Sequence, residues 1–185
     1  MKAHYESKPF QNTDAACTLT GKGLGVNASA FTFIRAGTPD MLIETARGKN
    51  TYASPCAFND TSDLTVDGNT TTYYHSEPGI VFPWWVVDLG NTYLVYQVKI
   101  LPRPGYYAYR FHNIEVRVGN TREESGHFSS FRLFSTYNEY YSDTLETLCC
   151  YRRDGVAGRY ISIQRVTPED DMLHMVEVQV LVLQE

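Results

Sequence analysis

The sequence predicts an all-β fold, a β-sandwich or a barrel, and three observations lead to this prediction. Several segments alternate apolar and polar residues, as strands with one buried face do. These segments are rich in valine, isoleucine and tyrosine, and turn-forming residues separate them. Long helical patterns are absent, and an all-β chain with many short strands is typical of a sandwich or a barrel.

Five strands are predicted from residue 84 onward, at residues 84–89, 93–101, 111–118, 159–166 and 174–183. On the second strand, one face is predicted to carry Leu94, Tyr96, Val98 and Ile100. On the last three strands, every second residue is predicted to face inward. These inward residues are Ile114, Val116, Val118, Ile161, Ile163, Val176, Val178, Val180 and Val182.

Trp84 and Trp85 are adjacent on the first predicted strand, so their side chains point to opposite faces. One is predicted to lie in the core and the other under the loops. Residues 136–148 have the pattern of a short helix. Residues 50–83 are rich in Thr, Asn, Asp, Gly and Pro with little periodicity, which predicts a long loop region. Loops of that length usually have a function.

The chain has 185 residues, which is the size of one domain. Its first 40 residues are less patterned, and we expect them to form an N-terminal extension around one strand near Phe31–Ile34. Residues 41–185 are predicted to form the β domain. The first thirty residues lack the apolar core of a signal peptide, so either Met1–His4 are an added start or a secretion signal has been removed, and the sequence leaves both open.

Composition and motifs exclude several classes of function. The net charge is −5 and no basic stripe is present, so we expect no nucleic-acid partner. No apolar run approaches the ~20 residues that a membrane-spanning helix needs. The G-x-S-x-G, H-E-x-x-H and P-loop signatures are missing, so we expect a binding module and not an enzyme.

The four cysteines lack the spacing of zinc ligands, and an even number predicts disulfides and an oxidising compartment. They are Cys17, Cys56, Cys149 and Cys150. Adjacent cysteines would close a strained ring, so the last two are each expected to pair with one of the first two. Free buried thiols in a cytosolic protein are the alternative.

Three sequons, at Asn27, Asn59 and Asn69, match the acceptor pattern of N-glycosylation. Together with the cysteines they predict a glycoprotein that is secreted or lies on the extracellular face of the cell surface.

A series of sequence blocks follows in a set order along the chain. The blocks are ARGKNTYAS (Ala46–Ser54), VDGN (Val66–Asn69), YYHS (Tyr73–Ser76), PWWVVDLG (Pro83–Gly90), PRPGYYAYRF (Pro102–Phe111), VRVGN (Val116–Asn120), GRYISI (Gly158–Ile163) and LHMVEVQV (Leu173–Val180). This order resembles the F-type lectins, or fucolectins, and through them the discoidin-like C domains of coagulation factors. The resemblance covers roughly residues 41–183 and implies an eight-stranded, jelly-roll-like β-sandwich, in agreement with the strand prediction.

The resemblance implies a sugar site made of one histidine and two arginines, in the pattern H…R-x-D-x4-R. Arg103 and Arg110 have the required separation. Counted back from Pro83, His75 falls within one residue of the ligand histidine; counted forward from VDGN, it aligns with a histidine that is not a ligand. An arginine offers a rigid fork of donors to sugar oxygens, and a neutral histidine adds an N–H.

The loop between the two arginines departs from the family pattern. Gly105 stands where the family has an aspartate, and Tyr106 and Tyr107 replace a cysteine pair that lies against the sugar. An arginine fork without that carboxylate can bind an acid, such as a sialylated or sulfated sugar, and the tyrosines can supply a stacking face. The alternative for the two arginines is an exposed, ion-paired couple on a loop.

A glycan, first a fucose-containing one, is therefore the predicted ligand, and multivalent binding by a homo-oligomer would raise a weak affinity. A fold that has lost sugar binding and binds a protein partner on a cell surface is the alternative. A phospholipid-binding module would need exposed apolar loop residues, for which only Ile80, Val81 and Phe82 are candidates, so membrane lipid is not the expected partner.

The resemblance also implies a structural calcium ion, which prefers about six to eight hard oxygen ligands. Asp67 and Asn69 match the ligands in VDGN, Ser76 matches the next one, and Glu177 matches an acidic ligand near the C-terminus. The carbonyl groups of Leu64 and Val176 would complete the shell. The alternative is that Asp67-Gly68 is an ordinary turn.

Overall fold

The computed structural model of the chain describes residues 17–19, 42–142 and 145–183. Within these residues nine strands form, and all of their pairings are antiparallel. They are β1 (Cys17–Leu19), β2 (Leu42–Glu44), β3 (Asn50–Ala53), β4 (Tyr74–His75), β5 (Trp84–Pro102), β6 (His112–Gly119), β7 (Arg132–Tyr140), β8 (Leu148–Arg165) and β9 (His174–Leu183). Short 3-10 turns lie at Ser62–Val66, Ala108–Arg110 and Phe128–Ser130. No helix among these described residues is long and apolar enough to cross a membrane.

The two long strands β5 and β8 pair with each other along most of their length and take part in both layers of a sandwich. The first part of β5 pairs with β3, and the last part of β8 pairs with β6, which continues to β7. The last part of β5 pairs with β9, and the first part of β8 pairs with β1. Strands β2 and β4 extend this second layer by pairing with β9. The predicted β-sandwich is confirmed.

The core lies between the layers and is made of the inward residues of β5, β6, β8 and β9. All of the residues predicted to face inward on the last three strands are buried, but Val176, at a register shift of β9, lies outside the core cluster, which Met175 enters instead. Trp85 is fully buried, and its indole N–H donates to the carbonyl oxygen of Ser62 at 3.0 Å. Trp84 is half-buried and meets Phe128 edge-on, with ring centroids 5.6 Å apart. The predicted division of the tryptophan pair is therefore confirmed.

Two predictions of local structure are wrong. Strand β5 has a register shift between Val95 and Gln97, where one extra residue changes which side chains face the core. Val95 is therefore buried, whereas Leu94 is 42% exposed and does not share the core face with Val98. Instead of a helix over 136–148, β7 extends through Tyr140, because its pairing with β6 buries Phe134 and Tyr137.

One disulfide joins Cys17 of β1 to Cys150 of β8, as expected for one of the two predicted pairs. Cys56 and Cys149 are free thiols, so the second predicted pair is wrong. Adjacent residues of a strand point to opposite faces, so Cys149 faces away from the core that Cys150 enters.

The predicted strand near Phe31–Ile34 and the sequon at Asn27 lie outside the described residues. Strand β1 belongs to the predicted N-terminal extension but is hydrogen-bonded to β8. The boundary at residue 41 stays a prediction.

Candidate functional site

The loop that joins β5 to β6 brings the two predicted arginines to one tyrosine ring. Arg103 follows β5, and Arg110 ends the 3-10 turn before β6. Between them Gly105 has a φ of +87°, a left-handed conformation that glycine adopts without steric cost, and the chain turns back on itself. The guanidinium carbons of Arg103 and Arg110 lie 5.3 and 4.2 Å from the ring centroid of Tyr107. Both distances are within the range of cation–π attraction.

Arg103 is held by aromatic faces and not by a carboxylate. Its guanidinium also lies 4.3 Å from the ring centroid of Tyr73, just before β4. Across residues 17–19, 42–142 and 145–183, its side chain makes no hydrogen bond and no ion pair. A guanidinium that is held by aromatic contacts alone keeps its N–H donors available to a ligand.

The side chain of Arg110 is largely buried, and its N–H groups are only partly supplied with hydrogen-bond acceptors. Its Nε lies 3.8 Å from Oδ1 of Asp171, and its Nη1 donates to the sulfur of Met172 at 3.7 Å. The Nε is buried and lacks a hydrogen-bond partner among the described residues. A buried donor without an acceptor is uncommon in a folded protein and needs a reason, of which a bound ligand is one.

Two histidines with closely packed, tilted rings lie beside the arginines. His75 of β4 and His174 of β9 are opposite each other in the sheet, and their ring centroids are 4.1 Å apart. The ring of Tyr73 is 6.5 Å from His75 and 6.2 Å from His174, and the ring of Phe58 stacks on His75 at 5.9 Å. Tyr73 therefore links the histidine pair to Arg103.

The histidine pair is buried, which disfavours its charged form. His75 is 7% exposed and His174 is 1% exposed, and none of their four ring nitrogens has a hydrogen-bond partner in the described residues. Burial lowers the pKa of both imidazoles, and the positive charges of Arg103 and Arg110 lower it further. Asp60 opposes this effect at His75, where it raises the pKa.

Exposed aromatic side chains border this cluster. Tyr106 is 86% exposed and meets Tyr107 edge-on, with ring centroids 5.1 Å apart. Phe58 is 88% exposed and has a φ of +56°, which is a strained conformation for a bulky residue. Rings in such positions can pack against the apolar face of a sugar or against another protein.

The structure thus groups four of the predicted sugar-site residues, His75, Arg103, Arg110 and Tyr107, with Tyr106 at their edge. The sequence analysis did not assign Phe58, Tyr73 or His174 to the site. Tyr73 and His174 lie in the blocks YYHS and LHMVEVQV, but only the pairing of β4 with β9 shows that they meet. No sequence signal indicated Phe58.

The predicted calcium ligands meet in part at the VDGN turn. Glu177 of β9 accepts a hydrogen bond from the backbone N–H of Gly68 at 3.2 Å, and Asp67 accepts one from the N–H of Asn69 at 2.6 Å. Burial raises the pKa of Glu177 to about 7, the N–H of Gly68 opposes this, and the negative charge of Asp67 adds to it. A buried carboxylate beside a second carboxylate favours a cation between them.

The two residues predicted to supply backbone carbonyl ligands, Leu64 and Val176, lie close in sequence to Asp67 and Glu177, but Ser76 lies elsewhere. Val176 is the extra residue at a register shift between β9 and β5, where the strand ladder leaves a residue unpaired. Leu64 is in the 3-10 turn just before Asp67. Ser76 instead bridges to Leu173, with its hydroxyl accepting from the Leu173 N–H at 2.9 Å. Leu173 is four residues from Glu177, or about 13 Å along a strand.

Side chains alone do not form a metal centre here, because the described residues contain no cluster of three or more His, Cys, Asp or Glu side chains placed to hold an ion. The carboxylates of Asp67 and Glu177 both accept hydrogen bonds from this turn, and carboxylate oxygens are among the hard ligands that calcium prefers. Arg47 lies against the same turn, since a Cβ on Gly68 would be 1.6 Å from its Nη2. Its charge lowers the pKa of Glu177 and so offsets part of the buried negative charge.

Comparison with known proteins identifies a family whose model matches this chain and several proteins that it resembles. Residues 64–163, more than half of the chain, match the family described as NedA-like, galactose-binding domain. The pentraxin fusion protein of Xenopus laevis is 28% identical over 121 residues, which are 62% of this chain and 27% of that protein. The chain thus spans about a quarter of the length of this relative.

Two solved structures share the fold. The lectin domain of Lectinolysin, complexed with Lewis B antigen, is 26% identical with a TM-score of 0.59, over 74% of this chain and 94% of that one. The F-lectin, or fucolectin, from striped bass (Morone saxatilis) serum is 20% identical with a TM-score of 0.66, over 77% of this chain and 48% of that one. These matches confirm the resemblance to F-type lectins and discoidin-like domains. The chain belongs to the family of NedA-like, galactose-binding domains.

Proposed function

We propose that this chain is a carbohydrate-binding module, without catalytic activity, that binds a glycan where Arg103, Arg110 and the histidine pair meet. The observation that carries the proposal is the placement of both guanidinium groups over Tyr107. Ring contacts hold both guanidinium groups, and the N–H donors of Arg103, which have no partner among the described residues, remain for the oxygens of a sugar. The similar Lectinolysin domain is described in complex with Lewis B antigen, which supports a glycan ligand.

Fucose-containing glycans are the first ligands to test. The arginines would donate to vicinal hydroxyls and to the ring oxygen, and an imidazole N–H of His75 would add a donor. Tyr107 and Phe58 offer ring faces against which the apolar side of a sugar can pack. A small site of this kind has a weak affinity, which several sites on a homo-oligomer would raise.

A structural calcium ion at the VDGN turn is part of the proposal. Asp67, Asn69 and Glu177, with the carbonyl groups of Leu64 and Val176, would hold it. When bound, the ion would neutralise the buried carboxylate of Glu177. It would thereby tie the turn to β9, the strand that carries His174.

We propose cell-surface recognition or innate defence as the setting, with the chain secreted or on the extracellular face of a cell. The disulfide between Cys17 and Cys150 supports an oxidising compartment. Asn59 is exposed and can accept a glycan as part of its sequon.

A glycan array probed with the purified protein tests the proposal, with Arg103→Gln and Arg110→Gln as variants. The wild type is expected to bind fucosylated or acidic glycans. Each variant is expected to lose about tenfold or more in affinity, as for the loss of a hydrogen bond to a charged group. Arg122→Gln is the matched control, because Arg122 also lies over a tyrosine ring, 4.3 Å from the centroid of Tyr52, but outside the cluster. Silence of the wild type across the array would overturn the proposal.

Binding of a protein partner is the second candidate, favoured by the exposed rings of Phe58 and Tyr106. Aromatic side chains are enriched at protein interfaces. Cell-surface binding before and after enzymatic removal of glycans separates the two candidates. Binding that survives deglycosylation and is lost in Phe58→Ala would favour the protein partner.

A further inference from the structure

The positive charge of the candidate site is not balanced by the protein. Other arginines pair closely with carboxylates: the Nε of Arg117 is 2.6 Å from Glu115, and the Nε of Arg159 is 2.6 Å from Asp88. Arg103 has no such partner in the part of the chain that the structure describes. Residues 104–109, which separate the two arginines, include no acidic residue.

Two acidic side chains, those of Asp171 and Asp60, lie near the arginines and histidines of the site, but each also interacts with a histidine. Asp171 is 3.8 Å from the Nε of Arg110, which is long for an ion pair, and 3.9 Å from the Nε2 of His112. Asp60 acts on His75. The guanidinium groups of Arg103 and Arg110, which both lie over the ring of Tyr107, therefore have one nearby carboxylate between them, that of Asp171 at 3.8 Å from Arg110.

Buried donors without acceptors lie at the same place. The Nε of Arg110 is buried and unpartnered among the described residues. His75 and His174 are more than nine-tenths buried, and their ring nitrogens also lack partners there. An acceptor with several lone pairs that approaches between the arginines would satisfy the Nε of Arg110; a neutral imidazole offers such an acceptor one N–H, because its other ring nitrogen is itself an acceptor.

We infer that the group held by Arg103 and Arg110 is anionic, a carboxylate or a sulfate carried by a glycan. This inference rests on the proposed function and names the chemical class of its ligand. A neutral hydroxyl could accept a hydrogen bond from a guanidinium but would leave its charge uncompensated. A carboxylate or sulfate accepts two parallel N–H bonds from an arginine and neutralises the charge at once.

The test uses three monovalent glycans that share one fucosylated lactosamine: the neutral form, a sulfated form and a sialylated form. Titration calorimetry with the full chain is expected to give the acidic forms an affinity about tenfold or more above that of the neutral form. Comparison of the affinities for the sulfated and the sialylated glycan shows which of the two acidic groups is preferred. The advantage of the acidic forms should shrink as sodium chloride rises from about 0.05 M to about 0.5 M, because salt screens charge attraction.

Variants assign the preference to the arginines. Arg103→Gln is expected to remove most of the acidic preference, and Arg103→Lys, which keeps the charge but not the fork, to retain part of it. Arg122→Gln is expected to leave the preference unchanged. Near-ultraviolet circular dichroism checks that each variant is folded, and the salt dependence of the wild type is a readout that needs no variant.

The outcomes separate this inference from the proposed function. If the neutral form binds as tightly as both acidic forms, or if the acidic affinity is insensitive to salt, the site holds no anion and only the glycan-binding proposal survives. If none of the three forms binds and the wider array is silent, both are overturned.

Discussion

Arg159 of β8 and Asp88 of β5 form a two-point ion pair, with Nε 2.6 Å from Oδ1 and Nη2 2.8 Å from Oδ2. The carboxylate also accepts the N–H of Gly90 at 2.8 Å. The hydrogen bonds from Arg159 hold the pKa of Asp88 below its usual range, with help from the N–H of Gly90. Asp88 pairs with Tyr160 in the sheet, just before the register shift at residue 93, so the ion pair fastens the two long strands near an irregular point.

Asp88→Asn is expected to lower the free energy of unfolding at pH 7 by about 1 kcal/mol, since Arg159 is partly exposed and solvent screens the pair. A carboxyl group with a lowered native pKa stabilises the fold above its unfolded value of 3.8, and this stabilisation is lost as the pH falls through the native value. The difference in the free energy of unfolding between wild type and variant should therefore shrink below about pH 4. Urea unfolding between pH 7 and pH 3 measures it, with Asp63→Asn as an exposed control. A gap that is the same at every pH would contradict the prediction.

Trp85→Phe is expected to destabilise the protein more than Trp84→Phe. Trp85 is fully buried and donates a hydrogen bond to the carbonyl of Ser62, whereas Trp84 is half-buried under loop residues. Loss of buried volume and of that hydrogen bond should cost about 1–3 kcal/mol at Trp85. Equal urea midpoints for the two variants would count against the placement of the tryptophan pair.

Cys150→Ser and Cys149→Ser change adjacent residues, and only the first is expected to lower the stability substantially. The first removes the disulfide to Cys17, which closes a loop with a sequence separation of 133, and should cost about 2–5 kcal/mol. The second replaces a half-buried free thiol on the other face of β8 and should change stability little. Thiol titration of the denatured wild type should find two reactive groups, Cys56 and Cys149. Four groups, or none, would contradict this disulfide assignment.

Calcium is expected to raise the melting temperature of the wild type and not that of Glu177→Gln. Binding to the native state alone stabilises it by mass action, and a concentration of about one hundred times the dissociation constant should raise the melting temperature by about 5–10 °C. Asp63→Asn, which changes an acid outside the predicted ligand set, is the control and should keep the response. Differential scanning fluorimetry with calcium, magnesium and chelator measures it. A chelator-treated wild type that melts at the same temperature with and without calcium would remove the ion from the proposal.

Strand positions were largely predictable from the sequence, because the alternation of Ile114, Val116 and Val118 directly records which face is buried. The misassigned face at Leu94 shows the limit of this reasoning. One extra residue in a strand reverses the alternation, and no feature of the local sequence marks where that residue is inserted.

The chain sequence by itself determined the all-β class, the family resemblance, and the arginine pair with its loop between β5 and β6. Those features depend on residue types and spacings that are local along the chain. Only the tertiary structure decided that His75 faces His174, that Tyr73 links them to Arg103, and that Ser76 lies with Leu173 and not with Glu177. The pairing of β4 with β9 sets the contacts of His75 and Ser76, and strands so far apart in sequence meet only because burial of the shared core selects one register among many.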